Sequence, residues 1–158
     1  MSSGEVQCKR YEPAYLAGLQ TFYLPQEQAQ FTALPIEMLE MTPARHPIVI
    51  LHKGEPVGFF VLHAGDRVKE YTDNPQAMLL AAFSITHSQQ GKGFAQKGLE
   101  QMKDFVHQEF PGCDEIVLAV NHKNIAAQRL YVKAGFLDTG RRRMGPIGEQ
   151  FIYHLPLA

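Results

Sequence analysis

Residues 77–86 are apolar without interruption up to Ser84, and that run constrains the fold more than any other segment. An amphipathic strand alternates; a strand with no alternation is covered on both faces and sits centrally in a sheet. The run empties into a short polar loop with two closely spaced glycines, Gly91 and Gly93, and then into a helical pattern over 91–109. Phe94, Leu99, Met102, Phe105 and Val106 line one side of that helix, and Lys92, Gln96, Glu100, Lys103 and His107 mostly the other. A buried strand followed by a helix and a second apolar strand, 115–120, is the pattern of a parallel pair with a helical crossover.

The rest of the chain adds arms to this centre. Residues 5–11 alternate weakly and read as a first strand, 13–23 as a helix opened by Pro13, and 26–41 as a helical segment broken at Pro35. Residues 46–52 and 57–63 read as a strand pair around a turn at 53–56, and 64–76 as a loop. A second amphipathic helix is expected over 121–134, stopped by Gly135, followed by strands 136–144 and 149–155 around the turn 145–148. The expected fold is α/β: one domain over 1–158, with about seven strands and about four helices. The 45% hydrophobic content fits one folded core.

Charge and cysteine usage exclude several classes. A net charge of −1 gives no electrostatic reason for nucleic acid or a membrane surface as partner. No run approaches the roughly 20 apolar residues of a transmembrane helix, and the polar start MSSGEVQCKR has no signal-peptide core. Cys8 and Cys113 stand far apart, as reduced thiols of a cytoplasmic protein would. The seven histidines, among them His46, His52, His63 and His87, form no pair at ligand spacing, so no metal is expected.

A strand–loop–helix turn rich in glycine is a ready anion site. The first-turn N–H groups have no partner inside the helix, and the helix dipole is positive there. Spacing separates the families that use such turns. Gly93 and Gly98 have the gap of a P-loop, but Leu99 stands where lysine is required. Gly91 and Gly93 begin a dinucleotide fingerprint, but Gln96 holds its third position, and the turn lies midway along the chain. Gln90-Gly91-Lys92-Gly93-Phe94-Ala95 does fit the pattern [QR]xxGx[GA]. It is similar to the pyrophosphate motif of the GCN5-related N-acetyltransferase (GNAT) superfamily. The stretch from Val120 to Phe136, VNHKNIAAQRLYVKAGF, also resembles that family's VNxxNxxAxxLYxxxGF segment, one helix and one strand further on.

The resemblance covers the C-terminal half and implies a GNAT-like sheet splayed between its fourth and fifth strands, with acetyl-CoA as cosubstrate in the splay. It implies main-chain contacts from Phe83, Ser84 and Ile85 to the pantetheine arm, with the Ile85 N–H on the thioester oxygen. It implies a diphosphate on the main chain of Gln90, Gly91, Lys92, Gly93, Phe94 and Ala95. Asn124 would bind the arm or cap its helix, Ala127 would line the arm, and Tyr131 would protonate the departing thiolate. The implied reaction is N-acetyl transfer to a primary amine by direct attack through a tetrahedral intermediate. A small-molecule acceptor is expected. Protein acetylation and a non-catalytic CoA-binding module are the rival readings, and oligomeric state is left open, a homodimer included. An amine with a pKa of about 10.4 must lose a proton before it attacks. Strand 77–86 lacks an acidic residue to take it, which leaves Glu37, Glu40, Glu70, Asp73 or a water chain. His87 adjoins the glycine turn, and Arg141, Arg142 and Arg143 offer alternating positive charge for a phosphate or an acidic partner.

Overall fold

The computed structural model describes residues 5–157. Seven strands form one mixed sheet: β1 (Val6–Arg10), β2 (Arg45–His52), β3 (Glu55–His63), β4 (Ala77–Ile85), β5 (Glu115–Asn121), β6 (Leu137–Gly145) and β7 (Gly148–Pro156), in the spatial order β1-β2-β3-β4-β5-β7-β6. Only β4 and β5 are parallel; all other pairs are antiparallel. The α-helices of the described residues are α1 (Leu16–Gln20), α2 (Gln26–Ala29), α3 (Phe94–Glu109) and α4 (Ile125–Lys133).

Both faces of the sheet centre are buried, which explains the uninterrupted apolar run. Ile48, Ile50, Phe60, Leu62, Met78 and Leu80 pack on one face beneath Leu99, Met102 and Val106 of α3. Val49, Leu51, Phe59 and Val61 pack on the other beneath Leu19 and Phe22 of the N-terminal segment. The β2–β3 hairpin closes through Lys53 and Gly54, both at positive φ (54° and 80°), the backbone of a tight two-residue turn.

Several elements differ from the sequence expectation. The segment expected helical over 26–41 is α-helical only at Gln26–Ala29, with a 3-10 turn at Pro35–Glu37. The helix expected from 121 begins at Ile125, because Asn121 still belongs to β5 and Asn124 is the cap. The helix expected over 13–23 is a 3-10 turn, Pro13–Tyr15, leading into the short α1; the Thr21 hydroxyl donates to the Gly18 carbonyl (2.7 Å) and helps end it. The stretch 64–76 is not all loop: Gly65–Glu70 is a 3-10 helix that buries Val68, with Tyr71 just beyond it, over Ala77, Leu79, Val117 and Ile152. α3 starts at Phe94 rather than at 91, so both glycines precede the helix in the left-handed region (φ 78° and 84°).

The feature that makes the site is an irregularity of β4. Ala81 pairs with Val61 and Ser84 with Phe59, so Ala82 and Phe83 together oppose Phe60. Ala82 adopts φ 54°, unusual for a residue with a Cβ. This is a β-bulge, and a bulge bends its strand. β4 and β5 are in register only at Ala77, Met78 and Leu79 against Glu115, Ile116 and Val117. Beyond Leu79 the two strands separate while β5 stays paired with β7 as far as Asn121. On the other side of β4, Gly58 of β3 leaves no room for a side chain. A Cβ there would lie 2.6 Å from Ile85 Cδ1, 2.9 Å from Ile50 Cδ1 and 3.0 Å from the Ser84 carbonyl oxygen. Gly58→Ala should therefore cost about 1–3 kcal/mol by overpacking. It should lower Tm by several degrees in a thermal melt; an unchanged Tm would show that the two strands give way freely.

Candidate active site

The splay opens a cavity of about 990 Å³, walled by β4 from Leu80 to Ile85, β5 from Leu118 to Asn121, the first turns of α4, the segment around α2, and the tip of the β6–β7 hairpin. By strand alternation its β4 wall carries free main-chain donors. The Thr86 N–H bonds the Val57 carbonyl on β3 (3.0 Å), so the N–H groups of Ile85 and Phe83 point away from β3, toward the space that β5 has left.

At the end of β4 the chain makes a 3-10 turn, His87–Gln89, and passes through Gln90, Gly91, Lys92 and Gly93 into α3. No side chain caps α3, and no acidic residue lies in its first turn, so the positive helix end is uncompensated. Gln90 and Ala95 line the cavity, which puts the glycine turn at its rim. The Phe94 side chain is turned away from the cavity: the residue is 6% exposed, and its ring packs on His52 with centroids 4.7 Å apart. Lys92 Nζ donates to Gln89 Oε1 (3.2 Å) on the outside of the turn.

Gln90 also ties the turn to the opposite wall. Its amide nitrogen donates to the Ile85 carbonyl (2.9 Å) and to Gln28 Oε1 (2.8 Å), while Gln28 Nε2 donates back to Gln90 Oε1 (3.1 Å). These two glutamines are 62 residues apart, and no local pattern announces their contact. Asn121, buried at the end of β5, plays a similar part: its Oδ1 accepts from the Lys123 N–H (2.9 Å), and its Nδ2 donates to the Ile147 carbonyl (3.3 Å) at the hairpin tip.

The α4 wall carries the residues of the second motif. Asn124 caps the helix, its Oδ1 accepting from the Ala127 N–H (3.3 Å), and both residues line the cavity. Tyr131 lies across the splay from β4, its ring edge-on to Phe83 (6.3 Å) and to Phe136 (5.6 Å). Its hydroxyl makes no hydrogen bond to any described residue, and burial pushes the phenol well above its ordinary pKa. The group is therefore a neutral donor at working pH.

The candidate bases separate cleanly. Glu37 lines the cavity and accepts the Leu34 N–H (3.0 Å). Glu40 and Glu70 lie outside the lining, facing Arg45 (3.9 Å) and Arg143 (3.3 Å), and Asp73 is also outside it. Glu27 of α2 lines the cavity and was missed by sequence reasoning, because a short exposed helix carries no signal of what it faces. His87 packs edge-on against Tyr23 (5.9 Å), outside the lining. Two of the three arginines are engaged elsewhere: Arg142 forks onto Asp138 (2.9 and 3.0 Å) and stacks on Phe151, while Arg143 stacks on Tyr71 and bonds Gln150. The Arg142 hydrogen bonds hold the Asp138 carboxyl below its usual range. Among the described residues no group of three His, Cys, Asp or Glu side chains is arranged to hold a metal, and no helix is long and apolar enough to cross a membrane.

Comparison with known proteins bears on the fold and the family. The chain is 47% identical over 154 residues to the uncharacterized N-acetyltransferase YbbJ of Bacillus subtilis (strain 168), covering 95% of this chain and 96% of the relative. Its fold superposes on aminoglycoside acetyltransferase AAC(6')-Ib, solved in complex with coenzyme A, with a TM-score of 0.77 at 19% identity, covering 96% and 95% of the two chains. It superposes on spermidine N-acetyltransferase from Vibrio cholerae, solved with CoA and spermine, with a TM-score of 0.71 at 15% identity and the same two coverages. The acetyltransferase (GNAT) family model matches residues 14–136. The chain, with its splayed seven-stranded sheet, belongs to the acetyltransferase (GNAT) family.

Proposed function

We propose that the protein transfers the acetyl group of acetyl-CoA to a primary amine of a small molecule. The observation that carries this reading is a β4 edge without a strand partner beyond Leu79, with Tyr131 across it from Phe83, in a cleft that runs to an uncapped glycine turn. The turn fits a diphosphate, because N–H groups at the start of α3 lack partners and no carboxylate competes for them. The pantetheine arm would lie along β4 as an added strand, between Phe83 and Asn124.

In the reaction the amine nitrogen bonds to the thioester carbon, and negative charge grows on the carbonyl oxygen, where a main-chain N–H is worth most. Sequence reasoning assigned that donor to Ile85. Phe83 offers the same exposure as the second residue of the bulge and beside Tyr131, whereas Ile85 borders the glycine turn and has its carbonyl held by Gln90. Phe83 is the better donor for the oxygen, and Ile85 for the arm. When the carbon–sulfur bond breaks, Tyr131 donates its proton to the sulfur and regains one from solvent. The amine's proton leaves by way of water to Glu37 or Glu27, the two carboxylates of the lining. These carboxylates also favour a cationic acceptor. AAC(6')-Ib and the V. cholerae enzyme are named for small amines, which supports an acceptor of that size.

The test is to incubate the protein with acetyl-CoA and spermidine, kanamycin or a lysine peptide and follow free thiol. Thiol release with the small amines and not the peptide is expected. Release with the peptide alone would move the assignment to protein acetylation, and CoA binding with no release under any condition would reduce the protein to a binding module.

A further inference from the structure

The wall that carries α2 does not hold itself in place. α2 is four residues long, buries none of its side chains, and has no side-chain cap. A helix that short is not stable in water on its own. Glu27 and Gln28 of α2, with Gln30 and Phe31 just beyond it, nevertheless wall the cleft. Their position comes from the loop that precedes the glycine turn. The Tyr23 N–H donates to Thr86 Oγ1 (3.0 Å), and the Tyr23 carbonyl accepts from the His87 N–H (2.9 Å). Further along, Gln28 and Gln90 exchange two hydrogen bonds (2.8 and 3.1 Å). Among the described residues no other side chain of α2 bonds another element.

The bonds of Gln90 make the turn and this wall one unit. Its N–H donates to the His87 carbonyl (3.1 Å), so its own main chain offers an anion no free donor. Its Nε2 closes the turn onto the Ile85 carbonyl (2.9 Å) with the same amide group that reaches Gln28. Gly91 and Gly93 follow in the left-handed region, a conformation that is costly in entropy to fix. A diphosphate seated there would select one shape of the turn, and the shape that presents the Gln90 amide to Gln28 is the one that docks α2.

We infer that Gln28 is a positioning residue that couples the two sides of the cleft: a seated diphosphate fixes the turn and Gln90, and Gln90 through Gln28 fixes α2. By linkage, whatever docks α2 strengthens the hold on the cosubstrate by the same factor. The inference rests on the diphosphate seat proposed above and adds its connection to the opposite wall.

Hydrogen exchange with CoA, and with no amine present, tests the connection. The N–H groups of Ala29, Gln30 and Phe31 are bonded within the α2 segment, to Pro25, Gln26 and Gln28, so their exchange reports how often it opens. In the wild-type protein, saturating CoA should slow exchange at these amides about fivefold or more, and across 86–96 as well. Gln28→Ala should keep the slowing across 86–96 and lose it at Ala29, Gln30 and Phe31. Alanine is the better helix former, so that loss is not one of propensity. A residue of purely local importance would loosen α2 equally with and without CoA; the CoA-dependent difference reads the coupling. Equal slowing at α2 in the wild type and in Gln28→Ala would overturn it, by showing that CoA itself or the Tyr23 contacts hold the wall. Slowing confined to 86–96 in the wild type would overturn it too, while leaving the diphosphate seat intact. No effect of CoA on 86–96 would sink the seat, and the coupling with it.

Discussion

Tyr131→Phe will lower kcat about 10²-fold or more while leaving CoA affinity and Tm nearly unchanged. The substitution removes one oxygen and keeps the ring. The edge-on contacts to Phe83 and Phe136 survive, and no protein hydrogen bond is lost because the hydroxyl makes none among the described residues. A tyrosine present only for packing would be indifferent to the change, so a large kinetic loss with an intact melt isolates the proton donor. The pH dependence carries a second signature. Burial raises the phenol pKa, so Tyr131 keeps its proton throughout the range in which the acceptor amine is titrated. The rate should rise with pH as the amine becomes neutral, and no alkaline limb from Tyr131 should appear below about pH 10, the ordinary value for tyrosine. A variant that retains wild-type kcat would strip Tyr131 of the acid role. A fall in rate with a midpoint below 10 that vanishes in the variant would instead show a phenol that ionises too easily.

What the sequence reveals of this site follows a physical division. The β4 run, the glycine turn and the α4 motif are local patterns: the burial of a strand, the φ of a glycine and the cap of a helix are dictated by residues a few positions apart. The bulge at Ala82 is different, since nothing in LLAAFSI marks which residue is extra; only the register against β3 makes it so. It nevertheless opens the cleft and turns Phe83 toward it. The same holds for the Gln28–Gln90 amide pair and for Glu70, whose partner Arg143 is 73 residues away. Glu70 and Glu37 are indistinguishable in the sequence as acidic residues near the site. They differ because an arginine from β6 faces one, while the other faces the cavity. The arginine run was open to a phosphate role by charge alone. Arg142 and Arg143 are spent on Asp138, Phe151 and Tyr71, because β7 inserts between β5 and β6, leaving that strand at the sheet edge and off the cleft.

Gly93→Asp should raise the dissociation constant for CoA about 10²-fold. Two effects must be separated. Gly93 has φ 84°, where a side chain costs about 1–2 kcal/mol, but a Cβ there would meet nothing within 4 Å, so the backbone penalty is the whole steric effect. The carboxylate adds charge at the end of α3, where a diphosphate would sit. A unit charge about 5 Å from another interacts with about 3 kcal/mol at an effective dielectric of about 20, and that alone supplies the 10²-fold. Aspartate at an N-cap usually stabilises a helix by accepting the free N–H groups, and any such bond would fill the same seat. Repulsion and self-capping thus act in the same direction on CoA while differing in their effect on Tm. Gly93→Asn is the control: asparagine tolerates the left-handed backbone, has nearly the same shape and carries no charge, so its CoA affinity should fall by about tenfold at most. Titration calorimetry with CoA on the three proteins decides the matter. If aspartate and asparagine weaken binding equally, the loss is backbone strain; if aspartate binds CoA as tightly as glycine, no diphosphate rests on this turn.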